Sequence, residues 1–153
     1  MTDASTSFRL PSLPCMGASF RRASRALTRL YGDALRPLGL QATQFSVLQV
    51  LARAGEVSQG ELAQMLAMDS TTLTRTLEIM TRHGWIAKRY GRDRRERRLR
   101  LTKTGEVQLH RGLPRWEKVQ ARLRQQLGSE RWDSLLKLVN EVPTITASQG
   151  DLL

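Results

Sequence analysis

The sequence predicts a mainly α-helical fold carrying one small β-hairpin. Three observations lead there. Apolar residues recur at spacings of three and four along most of the chain; two short helical stretches, Ser58 to Leu66 and Asp69 to His83, are separated by a tight turn; and Ile86 to Leu101 alternates apolar with basic residues around a polar turn. Two short helices followed by a basic hairpin is the order of a winged helix-turn-helix, here flanked by longer helices at both ends.

At 153 residues the chain supports one domain with a real core and is short for two. Its 25 Lys and Arg against 14 Asp and Glu leave a formal charge of +11, which favours a polyanionic partner. Nucleic acid is the first such partner and an anionic membrane surface the competing one. No apolar run has the length of a bilayer span, and Met1 to Ser7 is polar, without a basic region leading into an apolar stretch, so secretion and membrane insertion are not expected. A single cysteine, Cys15, cannot form an internal disulfide. Packing must hold the fold, and a reducing compartment, the cytoplasm, is expected.

Residues 1–17, with Thr, Ser and Pro and no apolar period, read as a flexible N-terminal arm. From Ala18 a stripe of Phe20, Ala23, Leu27, Leu30, Tyr31 and Ala34 gives a first helix, with a basic opposite face, ended by Pro37 and Gly39. Thr43 is the expected cap of a second, whose Phe45, Leu48, Leu51 and Ala52 point one way before Gly55 stops it. Ser58-Gln59-Gly60-Glu61 fits a capping box opening a third helix with Leu62, Ala63 and Leu66 buried. After the turn at Met68, Asp69 or Ser70 caps a fourth helix. Leu73, Leu77 and Met80 face its core side, and Thr71, Arg75, Glu78 and Arg82 lie opposite at about 100° per residue. His83-Gly84 closes it, glycine suiting the left-handed residue after a helix.

Ile86 to Tyr90 and Arg97 to Leu101 are short strands, Leu99 and Leu101 alternating with Arg98 and Arg100. Thr102 caps a long helix with Val107, Leu109, Leu113, Trp116, Val119, Leu123 and Leu127 on or near one stripe and a bend expected at Pro114. Gly128-Ser129 separates a last helix bearing Trp132, Leu135, Leu136 and Val139, and residues 142–153 read as a frayed tail. One domain thus spans 18–141, with 18–36 and 102–141 as outer helices and 43–101 as the winged helix.

A helix fits the major groove of duplex DNA with its first turn nearest the base edges, and an extended arginine reaches the narrower minor groove. Thr71, Thr72 and Arg75 are therefore the candidate base or phosphate contacts, and Ser70 with the free amides at the helix start can hold phosphate. The plainer reading makes the threonines ordinary first-turn residues. Lys88, Arg89, Arg92, Arg94, Arg95, Arg97, Arg98 and Arg100 crowd together with Asp93 and Glu96 to offset them, a density tolerated only at a surface.

Asp93-x-Arg95 followed by Leu99-x-Leu101-Thr102-x-x-Gly105 resembles the wing motif of the MarR family of winged helix-turn-helix transcriptional regulators. The likeness continues through Leu62-Ala63-x-x-Leu66-x-Met68-Asp69-x-Thr71-Thr72-Leu73-Thr74-Arg75 and covers about Phe20 to Val139. It implies a minor-groove role for Arg95, oriented by Asp93, with Arg92 and Arg94 as flanking phosphate contacts or solvated turn charges. It also implies a homodimer built from the first and last two helices, on half-sites about 10–10.5 bp apart or a multiple of it, and a small aromatic effector bound between the wing domain and the dimer helices, near Phe20 or Trp116. The apolar surface of those helices independently exceeds what a small wing domain covers. The resemblance also raises a redox role for Cys15, since some members sense oxidants through a cysteine at the start of the first helix. Aligned on Arg21 to Arg25, however, that position falls at Gly17, and an inert exposed thiol is the other reading.

His83 and His110 are too isolated for a metal site, and no cofactor motif is present. Trp85, Trp116 and Trp132 read as core or interface anchors rather than stacking platforms. The expectation is a dimeric MarR-type regulator, a repressor rather than an enzyme, tuned by a ligand or oxidant in a stress response. The alternatives are a sequence-neutral architectural DNA-binding protein, or a basic enzyme acting on an acidic substrate, for which no catalytic constellation stands out.

Overall fold

The computed structural model describes residues 15–91 and 97–147. In order these form α1 (Met16–Leu35), a 3-10 turn (Arg36–Leu38), α2 (Ala42–Ala54), β1 (Val57–Ser58), α3 (Gln59–Leu66), α4 (Ser70–Arg82), β2 (Ile86–Tyr90), β3 (Arg97–Leu101), α5 (Lys103–Leu127) and α6 (Ser129–Ala147). The mainly helical fold class with a small antiparallel wing is therefore what the chain adopts.

The helix starts follow local chemistry. Ser58 caps α3 reciprocally: its Oγ accepts the Glu61 N–H at 3.1 Å, and its own N–H donates to the Glu61 carboxylate at 2.7 Å. Asp69 Oδ1 accepts the Thr72 N–H at 2.8 Å to open α4, and Thr102 Oγ1 accepts the Gly105 N–H at 3.0 Å to open α5. Gly84, at φ 70°, takes the left-handed position after α4. Ala67, between α3 and α4, is also left-handed, at φ 49°, and is not a glycine.

Several expectations are corrected. The arm expected to run to residue 17 gives way earlier, because Cys15 is the extended residue before α1 and its carbonyl already accepts the Ser19 N–H at 3.0 Å. Thr43 does not cap α2; the helix begins at Ala42 after the extended Gln41, whose N–H donates to Gln44 Oε1 at 3.0 Å. The tail expected from residue 142 is helical through Ala147. Pro143 removes one N–H, but Thr146 Oγ1 donates to the carbonyls of Val142 and Pro143 at 3.0 and 3.1 Å, steadying the turn around it. Pro114 lies inside a continuous α5, on an exposed side where water can take the freed His110 carbonyl.

The hairpin gains a third strand. β1 pairs antiparallel with β3 (Val57 with Leu99, Ser58 with Arg98), and β3 pairs with β2 from Ile86–Leu101 to Tyr90–Arg97, giving the order β1-β3-β2. Leu99 and Ile86 turn into a core shared with Leu48 and Leu51 of α2, Leu62 of α3 and Leu73, Leu77 and Met80 of α4. Burying each such leucine contributes about 1.5–3 kcal/mol, so the apolar row of α4 pins its opposite row outward.

The first turn of α5 lies against the turn between α4 and β2. The Thr102 N–H donates to the Trp85 carbonyl at 3.1 Å, and Thr102 Oγ1 donates to the Gly84 carbonyl at 2.6 Å. At Gly105 a Cβ would overlap that same Trp85 carbonyl, so no other residue fits without moving backbone. Gly105→Ala is expected to destabilise the protein by about 1–3 kcal/mol or more, read as a fall in the urea unfolding midpoint.

Candidate nucleic-acid interface

On α4, Ser70, Thr71, Thr72 and Arg75 are all exposed, while Leu73, Leu77 and Met80 are fully buried. Thr71, Thr72 and Arg75 thus lie away from the buried row, and Ser70 is exposed as the first residue of the helix. Thr74 is half-buried and accepts a hydrogen bond from Gln59 Nε2 of α3 at 2.9 Å, and the Thr76 hydroxyl donates to the Thr72 carbonyl at 2.9 Å. Thr72 also acts on its own helix cap, because its hydroxyl, with its N–H and that of Thr71, holds the Asp69 carboxyl below the usual aspartate range. Cys15 is exposed at the start of α1, which suits a reactive thiol and an inert one equally.

Arg92, Asp93, Arg94 and Arg95 lie outside the described residues. The strands that lead to them carry Arg89, Tyr90 and Arg97, all exposed. Arg98, one of the crowded basic residues of the wing, is engaged. Its Nε donates to Glu56 Oε1 at 3.2 Å and its terminal amine to the Glu56 carbonyl at 2.9 Å. Glu56 was missed because it stands 42 residues away, and no local pattern announces the pair.

α1, α2, the α3–α4 turn and α6 border an open pocket of about 560 Å³ lined by Phe20, Leu27 and Tyr31 of α1, Leu66, Met68 and Leu135 among others. Partial burial pushes the Tyr31 phenol above its ordinary pKa. Trp116 does not line this pocket; it packs against the core, its ring 6.4 Å from that of Phe45. Trp85 is buried and stacks on His83 with centroids 4.5 Å apart. Among the described residues, no group of three or more His, Cys, Asp or Glu could hold a metal ion, and no helix is long and apolar enough to cross a membrane.

A family model described as the MarR family matches residues 38–98, the stretch from α2 through most of the wing. The structure of the M. tuberculosis transcriptional regulator MosR in complex with DNA is 34% identical, covering 89% of this chain and 98% of that one, with a TM-score of 0.80. The chain belongs to the MarR family. It also resembles a mutant MarR from E. coli complexed with operator DNA, at 25% identity and a TM-score of 0.75 over 83% of this chain and 92% of that one. The HTH-type regulator YwoH of Bacillus subtilis is 34% identical over 85 residues, 56% of this chain; the match spans 62% of that relative's length. MarR-family proteins are regulators and not enzymes, which removes the basic-enzyme alternative.

The caps set a pH response. Glu61 is held below the usual glutamate range by the Ser58 backbone and side-chain hydrogen bonds, with Arg98 nearby adding to the effect. A depressed folded value stabilises the native state above the ordinary carboxylate range, about pH 4, and that contribution disappears as pH falls through the depressed values. Helical signal followed by circular dichroism should therefore weaken on acidification below that range. Asp69→Ala should lower Tm by a few degrees at neutral pH and flatten the acid limb.

Proposed function

We propose that this protein is a homodimeric, sequence-specific duplex-DNA-binding transcriptional regulator, acting as a repressor, with a DNA affinity modulated by a small ligand or an oxidant. The observation that carries this reading is the outward row of Thr71, Thr72 and Arg75 on α4 beside the arginine-bearing wing. α4 enters the major groove, where hydroxyls and a guanidinium reach base edges, and Ser70 with the helix-start amides meets phosphate. Arg95, oriented by Asp93, reads the minor groove, and Arg92 and Arg94 neutralise flanking phosphates. Relatives solved with DNA, the MosR complex and the MarR–operator complex, support the partner.

The division of the chain follows: 43–101 contacts DNA, and 18–36 with 102–141 pairs two protomers. The apolar side chains that α1 and α6 leave uncovered support pairing: Phe20 is 39% exposed, Leu27 42%, Leu135 and Leu136 46% each and Leu138 61%. Among the described residues of α6 none is fully buried within its own chain. A second copy covers this surface and spaces the two α4 helices on one face of the duplex. The pocket beside α1 takes a small aromatic effector through Phe20 and the Tyr31 phenol, and a ligand preferring one spacing of the α4 helices shifts DNA affinity. The cytoplasm is the compartment that fits such a partner.

Selection of binding sites from genomic fragments tests the reading, and equal affinity for selected and random duplex would overturn it in favour of sequence-neutral binding. Arg95→Ala should weaken binding to the selected duplex by about tenfold or more. Arg92→Ala should weaken it modestly and reduce the salt slope by about one. Sedimentation of the purified protein should give twice the chain mass.

A further inference from the structure

We propose that the segment Glu56–Gln59 is a joint that fixes the wing at a set angle to the recognition helix α4, and that Arg98 is a positioning residue within it rather than a DNA contact. This rests on the DNA-binding reading above. Within these four residues the chain reaches three other elements. Glu56 takes Arg98 of β3 through both its carboxylate and its carbonyl, at 3.2 and 2.9 Å. Ser58 stands opposite Arg98 in the β1–β3 register and caps α3 reciprocally with Glu61, whose carboxylate also feels the Arg98 charge. Gln59 reaches across to α4, its Nε2 donating to Thr74 Oγ1 at 2.9 Å.

Magnitudes separate a positioning role from a merely stabilising one. A partly exposed ion pair contributes little to folding, and the Arg98 and Glu56 side chains are 31% and 38% exposed. Binding makes a sharper demand. A helix in one groove and a loop in the next engage one duplex together only if their separation is held to about 0.5 Å and 10–20°. The strands and α4 are already packed at the Leu99 and Leu77 end; the Glu56–Arg98 and Gln59–Thr74 contacts hold the polar edge, where packing cannot.

The test uses a contradiction in sign. Glu56→Gln removes a negative charge from a strongly basic protein, so charge alone predicts tighter binding to a polyanion and a joint predicts weaker. Affinity for the duplex selected by the unaltered full-length protein is measured by fluorescence anisotropy across a salt series, at a temperature where circular dichroism shows each variant folded. The expected result for Glu56→Gln is a loss of about tenfold with the salt slope unchanged. Gln59→Ala, which alters no charge, should weaken binding by a similar factor. The exchange Glu56→Arg with Arg98→Glu should recover most of the loss, since the pair is restored without the cation at its original place. Glu56→Gln or Gln59→Ala binding as tightly as the unaltered protein, or Arg98→Gln reducing the salt slope by about one as a lost phosphate contact would, overturns the joint while leaving DNA recognition standing. If the unaltered protein retains no duplex, the DNA-binding reading and the joint fall together.

Discussion

The fold depends on one close approach, that of the first turn of α5 to the carbonyl of Trp85. Trp85 sits where three things meet: its N–H donates back to the Met80 carbonyl at the end of α4, β2 begins immediately after it, and its carbonyl receives the Thr102 N–H. Gly105 lets α5 lie flush on this point, and the Thr102 hydroxyl takes the neighbouring Gly84 carbonyl. The start of α5 is thus hydrogen-bonded to the turn that closes α4, and the backbone groups of that turn find their partners within the chain.

Charge is sorted around this frame by geometry rather than by sequence. Arg36 pairs with Asp33, Arg98 is bound to Glu56, and Arg124 meets Asp133 at 3.5 Å across the α5–α6 turn. Arg75, Arg89 and Arg97, by contrast, stand exposed on α4 and the two wing strands. A strongly basic chain thus contains structural cations and solvent-facing ones. Only the folded arrangement tells them apart, because a basic run of sequence looks the same in either case.

What was legible in the sequence was what is decided locally. The reciprocal Ser58–Glu61 cap, the caps Asp69 and Thr102 and the period-two strands around the wing involve residues within a few positions of one another, where spacing is a direct physical constraint. The apolar row of α4 was equally plain, which is why the outward side of that helix could be named. β1 was not readable, since two residues carry no alternation. Leu35 lay off the apolar stripe assigned to α1 yet is that helix's buried residue, because the stripe centred on Phe20 and Leu27 faces away from this chain's own core. The Glu56–Arg98 and Gln59–Thr74 contacts depend on the tertiary arrangement.

The turn between α3 and α4 holds Ala67 in a left-handed conformation that, for a residue with a Cβ, lies about 1–2 kcal/mol above the right-handed one. Its neighbours Leu66 and Met68 keep it there by packing against the core. The elbow is therefore a loaded spring latched by side chains on either side. The Ala67 and Met68 N–H groups also close the corner on the Gln64 and Ala63 carbonyls at 3.2 and 3.0 Å, so a change that loosens Leu66 or Met68 leaves the cost of the left-handed residue to be met by those two bonds alone.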